Sequence, residues 1–148
     1  MSNAVALSRE TTRKVRDTCL CLHLQRAARA VARRFDEVLR PLGLTSGQFS
    51  LLMSLNRPEP PTIGQVAALL AMDRTTLTAN LKPLERRALV EIEVDAADRR
   101  LRRLVLTPPG RALLVVAFPV WQDEHQAIEA LVADSDADRL RTELRALS

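Results

Sequence analysis

Apolar residues recur at every third or fourth position along most of the chain, which is the spacing of an amphipathic α-helix. The first stripe covers residues 20–42 and ends where Pro41 and Gly43 break the pattern. A second helix is predicted to begin at Thr45 and Gln48, whose spacing is that of a capping box, and to end at a proline-rich loop. The pattern therefore predicts a chain built mainly from helices.

The middle of the chain predicts two short helices joined by a tight turn. Thr62 and Gln65 repeat the capping-box spacing and open a short apolar helix. Asp73 is predicted to cap the next helix, expected over residues 74–87, in which leucines recur every three or four residues on one face. The opposite face is predicted to carry Thr75, Thr76, Thr78, Asn80 and Lys82.

A β-hairpin is predicted directly after these helices. Residues 89–94 alternate apolar and acidic side chains, and residues 104–106 resume extended character after the polar tip 95–100. The densest basic cluster of the sequence lies on the tip and the returning strand, at Arg99, Arg100, Arg102 and Arg103. Two helices with a short turn, followed by a basic ribbon, form the arrangement of a winged helix-turn-helix.

Two more helices are expected after the hairpin. Thr107 and Pro108 open a long apolar helix, in which Pro119 predicts a kink or a break. Ser135 and Asp136 are predicted to start a short terminal helix with leucines at spacings of four and three. The expected fold class is therefore mainly α with a small β-wing.

Composition narrows the function. The 148 residues, 47% of them apolar, suit one domain with a real core. The net charge is +4, and nearly all of the positive charge is carried by arginine. Arginine suits phosphate and guanine, although the same charge also serves solubility. We expect a cytoplasmic protein, because no apolar stretch is long enough for a membrane and the first residues lack a secretory leader. With two histidines and no catalytic motif, neither an enzyme nor a cofactor is expected.

The second helix of the pair is the predicted reader of DNA. Its short side chains would let the backbone approach the floor of a major groove about 12 Å wide. Arg74 could reach guanine or phosphate, and Asn80 could pair with an adenine edge. The DNA-binding residues predicted on this helix are Arg74, Thr75, Thr76, Thr78, Asn80 and Lys82. The alternative is that this polar stripe is only the solvent face of an amphipathic helix.

The hairpin tip is the second predicted contact with DNA. Arg99 and Arg100 lie on the flank where a narrow minor groove attracts arginine, and Arg102 is a further DNA contact. Asp98 is predicted to pair with Arg100 and to fix the direction of its side chain. A winged helix can also serve as a protein-protein adaptor, which acidic groups covering the polar face would favour.

Two runs of sequence resemble the multiple-antibiotic-resistance regulator (MarR) family: LGLTSGQFSLLMSL and TIGQVAALLAMDRTTLTANLKPLERRALVEIEVDAADRRLRRLVLTPPGRALL. The most specific part runs from Met72 to Thr107 and includes the Asp-x-Arg wing motif at Asp98 and Arg100. Ala88 stands where the family usually has glycine, so we expect a different exit from the preceding helix, which also contains Pro83.

The resemblance implies a homodimer and a division of labour within one domain, residues 1–148. Residues 18–44 and 107–148 would form interlocking dimerisation helices, and residues 45–106 the winged helix-turn-helix that binds duplex DNA. From the same resemblance we infer a repressor that binds a pseudo-palindromic operator. A small-molecule effector would bind between the dimerisation helices and the DNA lobe.

Two thiols leave a redox alternative open. The peroxide-sensing branch of this family resembles the chain in carrying a cysteine near the start of its first long helix, where Cys19 lies, but this chain has no tyrosine. On a helix, Cys19 and Cys21 would be about 200° apart and could not bridge within one chain, although pairing between subunits stays open. A buried structural role is preferred to redox sensing, and a metal site from Cys19 and His23 comes last.

Overall fold

The computed structural model describes residues 7–132 and 136–148. Its elements in chain order are α1 (Arg9–Thr18), α2 (Leu20–Leu39), α3 (Ser46–Ser54), α4 (Ile63–Leu69), α5 (Arg74–Arg86), β1 (Val90–Val94), β2 (Arg102–Leu106), α6 (Pro108–Ala130) and α7 (Ala137–Arg145). The predicted fold class is confirmed, because helices dominate and the two strands form one antiparallel hairpin between α5 and α6. In these described ranges, no helix is both long and apolar enough to cross a membrane.

Side-chain caps start the helices of the central unit as the sequence predicts. The Thr45 hydroxyl accepts from the Gln48 amide at 3.2 Å, and the Gln48 side chain accepts from the Thr45 amide at 3.1 Å. Thr62 and Gln65 form the same reciprocal pair at the start of α4. These bonds satisfy backbone donors that have no partner within a helix, so both starts are fixed by local sequence.

One apolar core joins the segment from α3 to the hairpin to the two long helices, α2 and α6. Leu39 of α2 and Ala117 of α6 are fully buried and pack with buried residues of α3, α4, α5 and the hairpin base. Leu77, Leu81 and Leu84 are the buried side of α5, which confirms the predicted leucine face. Met53 of α3, by contrast, is exposed.

The hairpin is anchored at its base by close packing and by backbone bonds. Val90 pairs with Leu106 and Val94 pairs with Arg102 in antiparallel register. Gly110, in the first turn of α6, lies against the base so closely that a Cβ there would overlap the Leu89 carbonyl oxygen. The tight contact fixes the hairpin relative to α6.

The N-terminal region differs from its prediction. Residues Arg9–Thr18 form a separate helix, α1, which the polar sequence did not suggest. Cys19 is not inside a helix but lies between α1 and α2 with extended backbone. The argument from helical angles that separated Cys19 from Cys21 is therefore wrong for Cys19, because only Cys21 lies on α2.

Two further expectations, about the exit from α5 and a break in α6, need correction. Ala88 does adopt the left-handed conformation, with φ at +55°, so the exit from α5 is that of a glycine despite the side chain. The Ala88 and Leu89 amides bond to the Glu85 and Leu84 carbonyls, which satisfies the end of the helix. Helix α6 continues through Pro119, so the break that the proline suggested does not occur.

The last helix, α7, follows the prediction where it is described. Asp136 caps it by accepting from the amides of Asp138 and Arg139. Ser135, the other residue predicted to start this helix, lies outside the described residues.

Candidate nucleic-acid interface

Helix α5 begins at an aspartate that is committed to capping. The Asp73 carboxylate accepts from the Thr76 amide and from the Thr76 hydroxyl, each at 2.8 Å. The Thr76 amide bond, followed by the hydroxyl bond, lowers the pKa of Asp73, so the carboxyl stays ionised at neutral pH. The first turn of α5 is therefore fixed before any partner binds.

Four predicted residues of α5 share one exposed surface. Arg74, Thr75, Thr78 and Lys82 line a shallow groove of about 360 Å³ together with Ala79. Successive residues of a helix turn by about 100°, so these positions fall on adjoining rows of the same side. Ala79 was missed by the sequence argument, although its spacing of four from Thr75 and three from Lys82 pointed to it. Its small side chain leaves the backbone of α5 accessible.

Thr76 and Asn80 lie apart from this groove. The hydroxyl of Thr76 is bound to Asp73, and the Asn80 side-chain amide donates to the Thr76 carbonyl oxygen at 3.1 Å. Asn80 is half-buried, and its amide nitrogen lies 3.9 Å from the Met72 sulfur. The structure thus divides the predicted polar face into an open groove and a pair of residues engaged by their own helix.

The wing tip holds one arginine in a defined direction. The Asp98 carboxylate accepts from the Arg100 backbone amide at 3.0 Å and from two guanidinium nitrogens at 3.1 and 3.0 Å. The Arg100 side chain is nevertheless 89% exposed. Donation from the Arg100 guanidinium, followed by its amide, lowers the pKa of Asp98. The predicted pairing is therefore present in a form that leaves the arginine accessible to a partner.

The two other predicted wing arginines are also exposed. Arg102 donates from its guanidinium to the Arg99 carbonyl oxygen at 2.9 Å, which folds its side chain along the tip. Arg99 itself lies on the turn between the strands. The tip thus presents Arg99, Arg100 and Arg102 on the same short segment of the hairpin.

The thiols occupy an open region near the start of α2. Cys19 is half-buried and Cys21 is exposed, and both are free thiols. Cys21 accepts a hydrogen bond from the Gln25 side chain at 3.4 Å, and the His23 Nδ1 lies 2.8 Å from the Cys19 carbonyl oxygen. In the single chain, Cys21 is therefore not buried.

A cavity of about 350 Å³ lies between helices α3, α4 and α6. Trp121 and Phe118 of α6 form one wall, and Phe49, Ser50, Met53, Ser54, Leu69 and Leu70 of α3 and α4 complete the lining. The Trp121 ring stacks on Phe49 at 5.9 Å and on His125 at 4.6 Å between centroids. The cavity is thus mainly apolar and aromatic.

A second apolar groove runs between α2, α6 and α7. Its volume is about 470 Å³, and its rim carries an ion pair at 2.5 Å between Arg141 and Glu129. The lining is aliphatic and comes from Leu24, Ala27, Ala28, Val31, Ile128, Val132, Leu140 and Leu144. Several of these side chains are exposed in the single chain, so the first stripe of the sequence is only partly covered.

Comparison with known proteins identifies the family to which this fold belongs. A family model described as the MarR family matches residues 42–101, which span α3, the helix pair and most of the wing. The transcriptional regulator MosR of M. tuberculosis, solved in complex with DNA, is 37% identical, with 87% of this chain and 92% of that chain aligned and a TM-score of 0.73. The chain belongs to the MarR family.

Two further comparisons, one with a solved structure and one with a sequence, also give transcriptional regulators. The repressor CouR, solved bound to a 23-mer DNA duplex, aligns with 90% of this chain and 94% of its own at 29% identity and a TM-score of 0.79. The transcriptional regulator HosA of Escherichia coli O157:H7 is 38% identical over 52% of this chain and 57% of its own length. The chain spans about half to three fifths of the length of the first curated relatives it matches. The named relatives are transcriptional regulators, which confirms that the family is not one of enzymes.

Proposed function

We propose that this MarR-family chain is a transcriptional regulator that binds duplex DNA as a homodimer. The observation that carries the proposal is the open groove of α5, where two cations flank short side chains. Thr75, Thr78 and Ala79 allow the helix to enter the major groove, while Arg74 and Lys82 reach phosphates or base edges. The lining of this groove is cationic. It therefore favours DNA binding over the role of a protein-protein adaptor, which acidic groups on this face would have supported.

The wing completes the proposed interface. Arg100, directed by Asp98 and almost fully exposed, enters the flanking minor groove, and Arg99 and Arg102 contact phosphates beside it. Asn80 contributes to base reading after its amide rotates away from the Thr76 carbonyl, while Thr76 serves the helix cap. Residues 45–106 thus form the DNA-binding lobe.

A second copy of the chain is the proposed occupant of the groove between α2, α6 and α7. The groove presents aliphatic side chains of the first and last helices to solvent, which a dimer would bury. Residues 18–44 and 107–148 then form the dimerisation helices. A two-fold axis places the two copies of α5 in successive major grooves about 34 Å apart, on a pseudo-palindromic operator.

The cavity beside Trp121 is the proposed effector site. It lies between a dimerisation helix and the DNA lobe, so a ligand there favours one spacing of the lobes over another. Repression follows by occlusion of the operator, and the effector releases it. Because Trp121 is the single tryptophan, its fluorescence reports binding of small aromatic compounds directly. Ser50→Phe, which fills the cavity, is expected to abolish that change while DNA binding persists.

Thiol-based control is the second candidate function, favoured by the position of Cys19 at the junction of α1 and α2. In the dimer, two thiols and a hydroperoxide would give an intersubunit disulfide, water and an alcohol. The expected result is a covalent dimer on a non-reducing gel, with altered DNA binding that Cys19→Ser or Cys21→Ser removes. Unaltered DNA binding after oxidation would reject this candidate.

The DNA-binding proposal is tested by titrating a labelled duplex of random sequence at several salt concentrations. Arg74→Ala and Arg100→Ala are each expected to reduce the dependence of log affinity on log salt by about one unit for each phosphate that the variant no longer binds. The matched control is Arg13→Ala, which removes the same charge from an exposed position of α1. Equal effects of all three variants would mean that net charge, and not this interface, holds the DNA.

A further inference from the structure

Arg103 differs from the other wing arginines in the groups that its guanidinium contacts. Its Nε donates to the Asp95 carboxylate, and its Nη1 donates to the Pro60 carbonyl oxygen at 2.7 Å. About a third of its side chain is exposed, against 89% for Arg100. Its guanidinium therefore joins two parts of the protein instead of facing outwards.

Asp95 is the centre of the wing turn. Its side chain is only 9% exposed, and its Oδ1 accepts from the amides of Ala97 and Asp98 at 2.9 and 2.8 Å. The Asp98 amide, followed by the Arg103 guanidinium, lowers the pKa of Asp95, so this carboxyl is ionised at neutral pH. Asp98, whose amide Asp95 holds, in turn directs Arg100. A continuous set of bonds thus runs from Arg103 to the exposed arginine.

The other end of the connection is the loop before α4. Pro61 is fully buried, its carbonyl oxygen accepts from the Leu104 amide at 2.9 Å, and Thr62 forms a β-bridge with Arg103. Two consecutive prolines make this loop a stiff anchor, because their φ angles are fixed. Through Arg103, the wing tip is fastened to the loop that leads into the helix pair.

We propose that Arg103 is a positioning residue, which acts through Asp95 to hold the wing tip in its DNA-binding orientation and does not itself contact DNA. This proposal rests on the proposed DNA-binding function. It adds a role for an arginine that composition alone would predict to contact phosphate. A guanidinium is needed because it donates in two directions at once, to a carboxylate and to a carbonyl. A lysine ammonium is a point charge without that fixed fork.

The decisive variant is Asp95→Asn, because electrostatics and positioning predict opposite results. The change keeps Oδ1 for the two amides, removes a negative charge beside the DNA and breaks the ion pair with Arg103. Net charge alone would strengthen DNA binding. It should do so for the control Glu93→Gln, which neutralises an exposed carboxylate on β1, two residues before Asp95. Positioning predicts that Asp95→Asn weakens binding by about tenfold, the effect of losing one charge-assisted hydrogen bond.

Arg103 itself is tested with two substitutions in the same titration. Arg103→Gln is expected to weaken binding without changing the salt slope. The tip arginines still reach the same phosphates in the complex, and only the free energy of ordering the tip is added. Arg103→Lys is expected to behave like Arg103→Gln, whereas lysine would replace an arginine bound to phosphate well. A reduced slope for Arg103→Gln, together with full affinity for Arg103→Lys, would overturn the proposal, as would tight binding by Asp95→Asn.

A measurement without DNA keeps this inference separate from the proposed function. Hydrogen exchange of individual amides in the free protein is expected to speed up at Ala97, Asp98 and Arg100 in Asp95→Asn and Arg103→Gln. Exchange at Leu77 and Leu84 in the core should stay at wild-type rates, which excludes global unfolding. If wild-type protein bound no DNA, the proposed function would fail, while unchanged exchange at the tip would refute the positioning role.

Discussion

The Arg87 guanidinium donates to the Gly43 carbonyl oxygen at 2.6 Å and to the Leu42 carbonyl oxygen at 3.2 Å. Arg87 caps the C-terminus of α5, and Gly43 ends the turn that follows α2. The two bonds therefore connect the end of the proposed recognition helix directly to the backbone of the turn that follows α2, a proposed dimerisation helix.

Loss of this connection should be visible in stability. Arg87→Ala is expected to lower the free energy of unfolding by about 1 kcal/mol, the net value of such bonds. Chemical denaturation measures it, with Arg86→Ala, the exposed neighbour, as control. An equal effect of the two variants would show that the hydrogen bonds of the Arg87 guanidinium add nothing to stability.

The left-handed Ala88 predicts a stabilising substitution. Ala88→Gly should raise the free energy of unfolding by about 0.5 kcal/mol, because the relief of strain exceeds the entropic cost of a more flexible unfolded chain. Ala68→Gly, at an exposed position inside α4, should instead lower it by about 1 kcal/mol. Thermal melting of the two variants decides, and destabilisation by both would contradict the strain at Ala88.

Gly110 predicts the opposite outcome for an added methyl group. Gly110→Ala is expected to destabilise the protein by about 1–3 kcal/mol, because the Cβ meets the Leu89 carbonyl oxygen and a Leu106 methyl group. Gly47→Ala, in the first turn of α3, meets only the Thr45 hydroxyl oxygen, at an ordinary contact distance of 4.0 Å, and should be neutral or stabilising. Equal denaturant midpoints for Gly110→Ala and Gly47→Ala would contradict this prediction, because the hairpin base would then accommodate the added methyl group at little cost.

The capping carboxylate of α5 predicts a dependence on acid. The pKa of Asp73 is lower in the folded protein, so its contribution to stability is present above the unfolded pKa of about 3.9 and is lost as pH falls through the folded value. Wild-type protein should therefore lose stability below about pH 4 more steeply than Asp73→Asn, which caps without a titrating group. Parallel pH profiles of the two proteins would argue against ionised Asp73 as the cap.

Features set by neighbours in sequence were the ones that sequence could predict. The caps at Thr45, Thr62 and Asp73 depend on residues three positions away, so spacing alone identifies them. The leucine side of α5 was equally clear, because a period of 3.6 residues selects it.

What the sequence could not supply depends on tertiary contacts. The conformation of Ala88 costs about 1 kcal/mol locally and is compensated by the packing of the hairpin base, which no local pattern reveals. The exclusion of Asn80 from the open groove follows from the half-buried side of α5 on which it lies beside Met72. The roles of Arg103 and Trp121 depend on partners that are distant in sequence, Pro60 and Phe49.

The central claim is that α5 and the wing read a specific duplex as part of a dimer. Selection from a pool of random duplex DNA, retained on purified protein at two salt concentrations and then sequenced, tests it most directly. The account predicts an enriched inverted repeat whose half-sites are centred about one helical turn apart. Binding that enriches no sequence and disappears at the higher salt concentration would contradict it, because only non-specific attraction to phosphate would remain.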